Sequence, residues 1–360
     1  MKKIFISDCE GPISKNDNAF ELTSHYVQDG ESLFTALSLY DDALAEVVKR
    51  RGHRAGATLK LVLPFLKACN VTDHMMREFS KKNLVTVADA EESLASVQEI
   101  AESFIVSTSF EQYIQVLCQT LDFPFENAYC TRVNLDAYEL TEIERAKLLK
   151  LKGEITRMPL ITIKDNAESN RGLSEKDRET IHRFDVIFQK ELANTESEKI
   201  FREVKPVGGA EKAESVKDIV RRLGRKLKDA MYVGDSITDV EAFKLVKKGG
   251  GLTVSFNGNR YAVENSEIAI LSESSLTTAV LVEEFCRSGK TETLRLVENW
   301  NHETLNRNIA GDSLRKSFFL AYPQRLPKAK IITEQNMKAL AVESTEFRKK
   351  VRGEAIGRLG

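Results

Sequence analysis

The sequence predicts an α/β protein built on a doubly wound parallel sheet, with a mostly helical insertion after its first strand and a helical C-terminal extension. Three observations carry this prediction. Four short apolar runs, Ile4-Phe5-Ile6, Phe104-Ile105-Val106, Ala230-Met231-Tyr232-Val233 and Gly251-Leu252-Thr253-Val254, have the unbroken apolarity of strands covered on both faces. Each run ends in small or acidic residues and is followed by a helical pattern, the alternation expected of a parallel sheet with crossover helices. About 90 residues with little strand character separate the first two runs.

Along the chain, helical spacing is found over Leu33 to Lys49, Leu59 to Ala68, Thr72 to Lys82 and Glu91 to Ser103. Residues 15–97 therefore read as a helical insertion, leaving 1–14 and 98–285 as the core. A charged stretch, 135–205, interrupts the core with helices expected at Glu139 to Lys152 and Glu175 to Glu191 and a strand at Met158 to Ile163. Gly249-Gly250-Gly251 reads as a helix-to-strand turn, since no lysine follows it as in a phosphate-cradling loop. Residues 287–360 form a charged extension with helical pieces and the only tryptophan, Trp300; the basic cluster Arg348, Lys349, Lys350 and Arg352 reads as a solvated helix face.

Composition excludes several classes. At 42% hydrophobic the 360 residues can bury a sizeable core, and a net charge of −1 gives no global field for nucleic acid or a membrane surface. No run approaches the roughly 20 apolar residues of a membrane span, and the apolar start of the chain ends at Asp8, too soon for a signal peptide. The five cysteines, Cys9, Cys69, Cys118, Cys130 and Cys286, are scattered with no CxxC pair, so neither a zinc site nor a disulfide framework is expected and a cytoplasmic setting is the default. His25, His53 and His74 lack ligand spacing and read as surface or packing residues.

The chemistry-bearing residues fall where the elements end. The first strand runs into Asp8-Cys9-Glu10-Gly11-Pro12 and the second into Ser107-Thr108-Ser109-Phe110. Lys212 opens a helix after Gly208-Gly209, and the third clear strand runs into Gly234-Asp235-Ser236-Ile237-Thr238-Asp239. In a doubly wound sheet all of these converge on one edge, where ligands bind. Cys9, between two candidate residues, should point to the opposite face and pack.

Taken in order, these four segments resemble the motifs of the haloacid dehalogenase (HAD) superfamily, most closely its phosphoserine-phosphatase-like branch, over about residues 1–14 and 98–284. The Asp-x-Glu-Gly-Pro segment is similar to that of archaeal HAD-like proteins. The resemblance implies a Rossmann-like core and a Mg²⁺-dependent phosphatase acting on a small phosphorylated metabolite, in which Asp8 is the nucleophile that forms an aspartyl-phosphate. It implies that Asp8, Glu10 through its backbone carbonyl, Asp235 and Asp239 hold the metal, Asp239 from the outer shell. Ser107, Thr108 and Lys212 would bind the phosphoryl group, Lys212 also bridging to Asp8 and being preferred over Lys205 and Lys217 by spacing. Glu10 stands where the superfamily usually has aspartate, and it would serve as general acid and then base from one methylene further out. The 15–97 insertion would be a cap that closes over the site. Two other readings use the same residues: a catalytically weak accessory or sensor subunit, and a phosphotransferase or phosphomutase. Neither nucleic acid nor membrane is an expected partner; a homodimer or a place as an accessory subunit fits the extra segments.

Overall fold

The computed structural model describes residues 2–163 and 172–357. Strands β1 (Lys3–Ser7), β2 (Ala101–Phe110), β3 (Ala128–Thr131), β4 (Ala230–Gly234), β5 (Leu252–Phe256), β6 (Ile268–Leu271) and β7 (Lys328–Ile331) form one sheet in the order β3-β2-β1-β4-β5-β6-β7. β1 to β6 pair in parallel and β7 joins β6 antiparallel. From β1 the chain builds outward first to β2 and β3, then on the other side through β4 to β6. Strand order thus reverses between β1 and β4, and the carboxyl ends of those two strands flank the crevice that such a switch point creates.

Helices α1 (Asn18–Tyr26), α2 (Gly30–Asp42), α3 (Thr58–Ala68) and α4 (Asp73–Asn83) follow β1, with a π-helical turn at Ala43–Val47 prolonging α2. α5 (Ala90–Ile100) leads into β2 and α6 (Glu111–Thr120) leaves it. α7 (Glu142–Ile155), α8 (Glu175–Val186) and α9 (Glu196–Glu203) lie in the second charged stretch. α10 (Ala210–Arg222), α11 (Val240–Lys248), α12 (Arg260–Asn265) and α13 (Leu276–Ser288) alternate with β4 to β6; α14 (Lys290–Glu298), α15 (His302–Asn308), α16 (Asp312–Ala321) and α17 (Met337–Arg352) close the chain. Caps set several of the starts: Asp17 accepts from Phe20 N–H, Thr72 from Met75 N–H and Thr141 from Glu144 N–H.

The sheet's alternation divides the core in two. Ile4, Ile6, Phe104, Val106 and Tyr232 pack on α10 and α11, while Phe5, Ile105, Val233, Val254 and Ile270 pack on α5, α6 and α13. A third apolar cluster lies outside the sheet. It joins α1 to α4 with α7 to α9, so Leu33, Leu37, Val62 and Leu66 share one interior with Leu148, Leu151, Phe184 and Ile200. The stretch after β3 is thereby packed on the helices that follow β1.

Four expectations need correction. The strand expected at Met158 to Ile163 does not form: Ile161 is instead buried in the third cluster, among helices. Its neighbours 164–171 are outside the described residues. The helix expected over Glu91 to Ser103 stops at Ile100, because Ala101 and Ser103 pair with Lys3 and Phe5 in the sheet. β3, β6 and β7 were not expected as strands; each has four residues, too few to display a period. The C-terminal extension is also more than helices on a surface. It supplies β7, and its basic cluster is split: Lys350, 69% exposed, is solvated as expected, whereas Arg348 and Arg352 have side chains only 4% exposed. α17 is seated against α12, with Ser344 Oγ donating to the Gly258 carbonyl at 2.6 Å, which turns that face inward.

Candidate active site

Asp8 follows the last residue of β1. Its backbone N–H donates to the Val233 carbonyl at 2.8 Å, which ties the end of β1 to β4 and fixes where the carboxylate starts. Its Oδ1 accepts from Cys9 N–H at 2.6 Å and its Oδ2 lies 2.6 Å from Lys212 Nζ. Cys9 itself turns away into the apolar layer with Ile13 and Val87, as the period of the strand requires. The chain then reverses at Gly11, whose φ is +108°; a Cβ there would lie 2.1 Å from Asp235 Oδ2. Only glycine lets the loop pass this close to Asp235 in that conformation.

β4 delivers the opposite wall. A Cβ on Gly234 would sit 2.4 Å from Asp239 Cγ, so glycine lets the Asp239 carboxylate fold back over the strand end. Asp239 Oδ1 accepts from Lys212 Nζ and from Tyr232 Oη, each at 2.7 Å, and Oδ2 accepts from the N–H groups of Asp235 and Ser236, each at 3.0 Å. A carboxylate offers about four lone-pair positions, and Asp239 has filled them. Its work is to hold Lys212 and the Asp235 loop in place. Asp8, Asp235 and Asp239 nonetheless bring one oxygen each within 4.8 Å of one another, all from buried residues. Of the three, Asp8 and Asp235 are the better-placed donors for a hard cation.

The electrostatics follow from burial. Burial alone would lower the Lys212 pKa, yet the Asp239 and Asp8 carboxylates beside it hold it above the ordinary lysine value. Burial first, helped by Asp239 and Asp235, raises the Asp8 carboxyl to about 7 against the pull of Lys212. The rival lysines stay away. Lys217 pairs with Glu214 at the surface and Lys205 is exposed.

The remaining wall comes from β2 and the helical layer. Ser107 Oγ donates to Ser109 Oγ at 3.1 Å and accepts from Ser109 N–H at 3.2 Å. Thr108 lines the same cleft, and its buried Oγ1 has no hydrogen-bond partner among the described residues. Such an orphaned hydroxyl, beside Ser107 and close to Asp8, suits an anionic oxygen. Glu10 lies partly exposed in the cleft, where its Oε1 accepts from Asn18 N–H at 2.6 Å and its carboxyl is hydrogen-bonded to the Ser109 side chain. Burial first, then the neighbouring Asp17, push its pKa well above the ordinary glutamate range. Glu10 thus favours its protonated form more than an ordinary glutamate does, and it is joined to the first residue of α1. Across the cleft, Asp41 accepts from Gly56 N–H, Thr58 N–H and Thr58 Oγ1 and sits 2.6 Å from His53 Nε2, folding the 48–57 loop over the opening.

All seven sequence-predicted residues, Asp8, Glu10, Ser107, Thr108, Lys212, Asp235 and Asp239, are thus brought to one end of the sheet. Three further participants were not expected. Tyr232 is an aromatic in an apolar run that also carries a hydroxyl, and the odd-even pattern of β4 could have pointed it toward Lys212. Arg348 and Arg352 meet Asp235 from α17, a junction for which the sequence offers no local signal.

Comparison with known proteins agrees with this architecture. Among solved structures the chain is similar to the gene product AF1437 from Archaeoglobus fulgidus, at 26% identity and a TM-score of 0.80, over 100% of this chain and 99% of that one. A more distant likeness is to a phosphoserine phosphatase in its apo form, at 15% identity and a TM-score of 0.46 over 81% of this chain and 100% of that one. No curated protein matches. The haloacid dehalogenase-like hydrolase model matches residues 98–279, the stretch from the end of α5 into α13 that carries Ser107, Lys212, Asp235 and Asp239. The chain belongs to the family of haloacid dehalogenase-like hydrolases.

Proposed function

We propose that the protein is a Mg²⁺-dependent phosphatase that hydrolyses a small phosphorylated metabolite through an aspartyl-phosphate on Asp8. The observation that carries the reading is the buried lysine bridge, with Lys212 Nζ 2.6 Å from Asp8 and 2.7 Å from Asp239 at the switch point of the sheet. The donor set suits a magnesium ion, since all the candidate ligands are hard oxygens gathered within 4.8 Å. Asp8, Asp235 and the Glu10 carbonyl would hold it, and when bound it would neutralise charge on the phosphoryl oxygens.

The chain's own groups supply the rest. Ser107 and Thr108 would hold the phosphoryl oxygens by their hydroxyls, and Lys212 would keep positive charge beside the reacting centre. An Asp8 oxygen forms a bond to phosphorus while the ester oxygen leaves, taking the proton that Glu10 carries. Water then attacks phosphorus, its proton passes to the Glu10 carboxylate, and Asp8 and inorganic phosphate are released. The helical layer over the site, with the 48–57 loop tied down by Asp41, would act as the cap that excludes bulk water. No helix among the described residues is long and apolar enough to cross a membrane.

The test is hydrolysis of p-nitrophenyl phosphate and a panel of phosphorylated metabolites with Mg²⁺. Wild-type turnover that disappears in Asp8→Asn supports the reading. Equal inactivity of both proteins across the panel would refute it.

A further inference from the structure

The C-terminal helix brings two arginines into the site that the chemistry above does not use. Arg348 and Arg352 stand one turn apart on α17, so both side chains leave the same face. Arg352 is fixed on several sides: Nη1 donates to Asp235 Oδ2 at 3.0 Å, Nε to the Lys15 carbonyl at 2.9 Å, and Nη2 to the Asn16 carbonyl. It therefore staples α17 to the segment entering α1. Arg348 Nη1 donates to that same Asp235 Oδ2 and, at 3.3 Å, to the Asp235 carbonyl.

Two buried guanidinium groups thus converge on one carboxylate oxygen. Burial, together with the like charge of Arg352, holds the Arg348 pKa below that of an ordinary arginine even though Asp235 opposes the shift. The arrangement tolerates two cations because Asp235 sits between them. Asp235 is also one of the three carboxylates that approach within 4.8 Å. A divalent ion bound to it would add a further positive charge beside both guanidiniums. At the few-ångström separations inside a partly buried site, repulsion between unit charges changes affinity by on the order of tenfold to a hundredfold.

We propose that Arg348 is a positioning residue that holds Asp235 until a divalent ion takes that carboxylate from it, so that the C-terminal helix sets the metal affinity of the site. The inference rests on the reading of Asp235 as a metal ligand. Arg348 acts through Asp235, and Arg352, with its two carbonyl partners, keeps the helix near the site when Arg348 lets go.

Mg²⁺ titrated calorimetrically into the full-length wild type, Arg348→Gln and Arg348→Lys tests this without any substrate. The glutamine variant is expected to bind Mg²⁺ about tenfold more tightly than wild type or better, whereas the lysine variant, which keeps the charge, stays nearer wild type. A glutamine variant that binds no more tightly than wild type overturns the inference alone. Binding in none of the three proteins overturns the metal-site reading and the inference with it. Should the glutamine variant fail to fold, the arginine side-chain N–H signals of the wild type, followed by nuclear magnetic resonance, decide. The Arg348 guanidinium signals must move when Mg²⁺ is added, and unmoved signals overturn the proposal.

Discussion

Replacing Lys212 with methionine keeps most of its volume and removes its charge, and the structure gives the size of the effect. The side chain is fully buried, with Nζ 2.6 Å from Asp8 and 2.7 Å from Asp239. At an effective dielectric of about 20, each such contact is worth about 6 kcal/mol of attraction. Desolvation cancels much of that, and removing one partner of a buried pair costs about 3–5 kcal/mol. Part of the cost appears in Asp8, which titrates near about 7 with the lysine present. Losing about 3 kcal/mol of attraction lifts that value by roughly two pH units, leaving about 1% of the carboxylate ionised at neutral pH. The nucleophile is then about 50-fold scarcer, and the missing cation costs roughly a further 10²-fold in transfer. For Lys212→Met, kcat/KM with p-nitrophenyl phosphate should fall on the order of 10³- to 10⁴-fold at neutral pH, and raising the pH toward about 9 should recover the ionisation part alone. Paired pH–rate profiles of wild type and variant measure both components. Activity within tenfold of wild type, or a loss that does not shrink as the pH rises, would show that Lys212 does not govern Asp8.

Three further outcomes follow from the same geometry. Glu10→Gln cannot protonate a leaving group, so kcat/KM for alkyl phosphates, which reports the steps through departure of the leaving group, should drop about 10²- to 10³-fold while that for p-nitrophenyl phosphate, whose phenolate leaves unaided, falls less than about tenfold; equal losses in kcat/KM on both substrates would remove Glu10 from the role of acid. Asp8, raised from an ordinary value near 4 to about 7, favours the folded state as the neutral acid, so the stability it contributes is present below about pH 4 and is lost as the pH rises through 7. Urea unfolding should show wild type losing about 4 kcal/mol relative to Asp8→Asn between those pH values, and parallel curves would contradict the shift. Asp42 lies in the cleft wall, where burial and then Asp41 and Glu46 raise its pKa; Asp42→Asn should tighten inhibition by inorganic phosphate several-fold at alkaline pH and leave it unchanged in mild acid, as measured by inhibition constants at the two pH values.

The legible part of the molecule was that in which local pattern and spatial position coincide. Ile4 to Ile6 and Ala230 to Val233 are apolar runs because both faces of a central strand are covered, and the residue after such a run must emerge at the carboxyl edge. Asp8 and Asp235 were therefore placed by topology as much as by motif. β3 and β6 escaped because four residues near a sheet edge carry no period. β7 escaped because Lys328 and Lys330, pointing outward from an edge strand, look like any charged tail. The packing of α7 to α9 on α1 to α4 escaped because an amphipathic helix shows that it has an apolar face but not which surface covers it. Arg348 and Arg352 are the extreme case. Their spacing marks one helix face, and only the seating of Ser344 on Gly258 decides that this face looks inward.

What unites these features is a charge balance that burial sets. Asp8, Glu10, Asp17, Asp42 and Asp235 all border one cleft, and a phosphate ester would be repelled if each carried its charge. Burial is the first cause of the raised pKa values of Glu10, Asp17 and Asp42, so the walls nearest the helical layer favour the neutral carboxyl. Asp41 is spoken for by its loop, which spends its oxygens on N–H and O–H donors. The carboxylates at the floor, Asp8, Asp239 and Asp235, are the ones the cations touch: Lys212 serves the first two and the arginines of α17 the third. The excess of acid lining the cleft thus becomes a floor of paired charges under walls whose carboxyls are biased toward the neutral form. Segments as far apart as the β1 exit and the C-terminal helix must both be in place for that balance to exist, which is why truncating α17 would be felt at Asp235 before it was felt in the sheet.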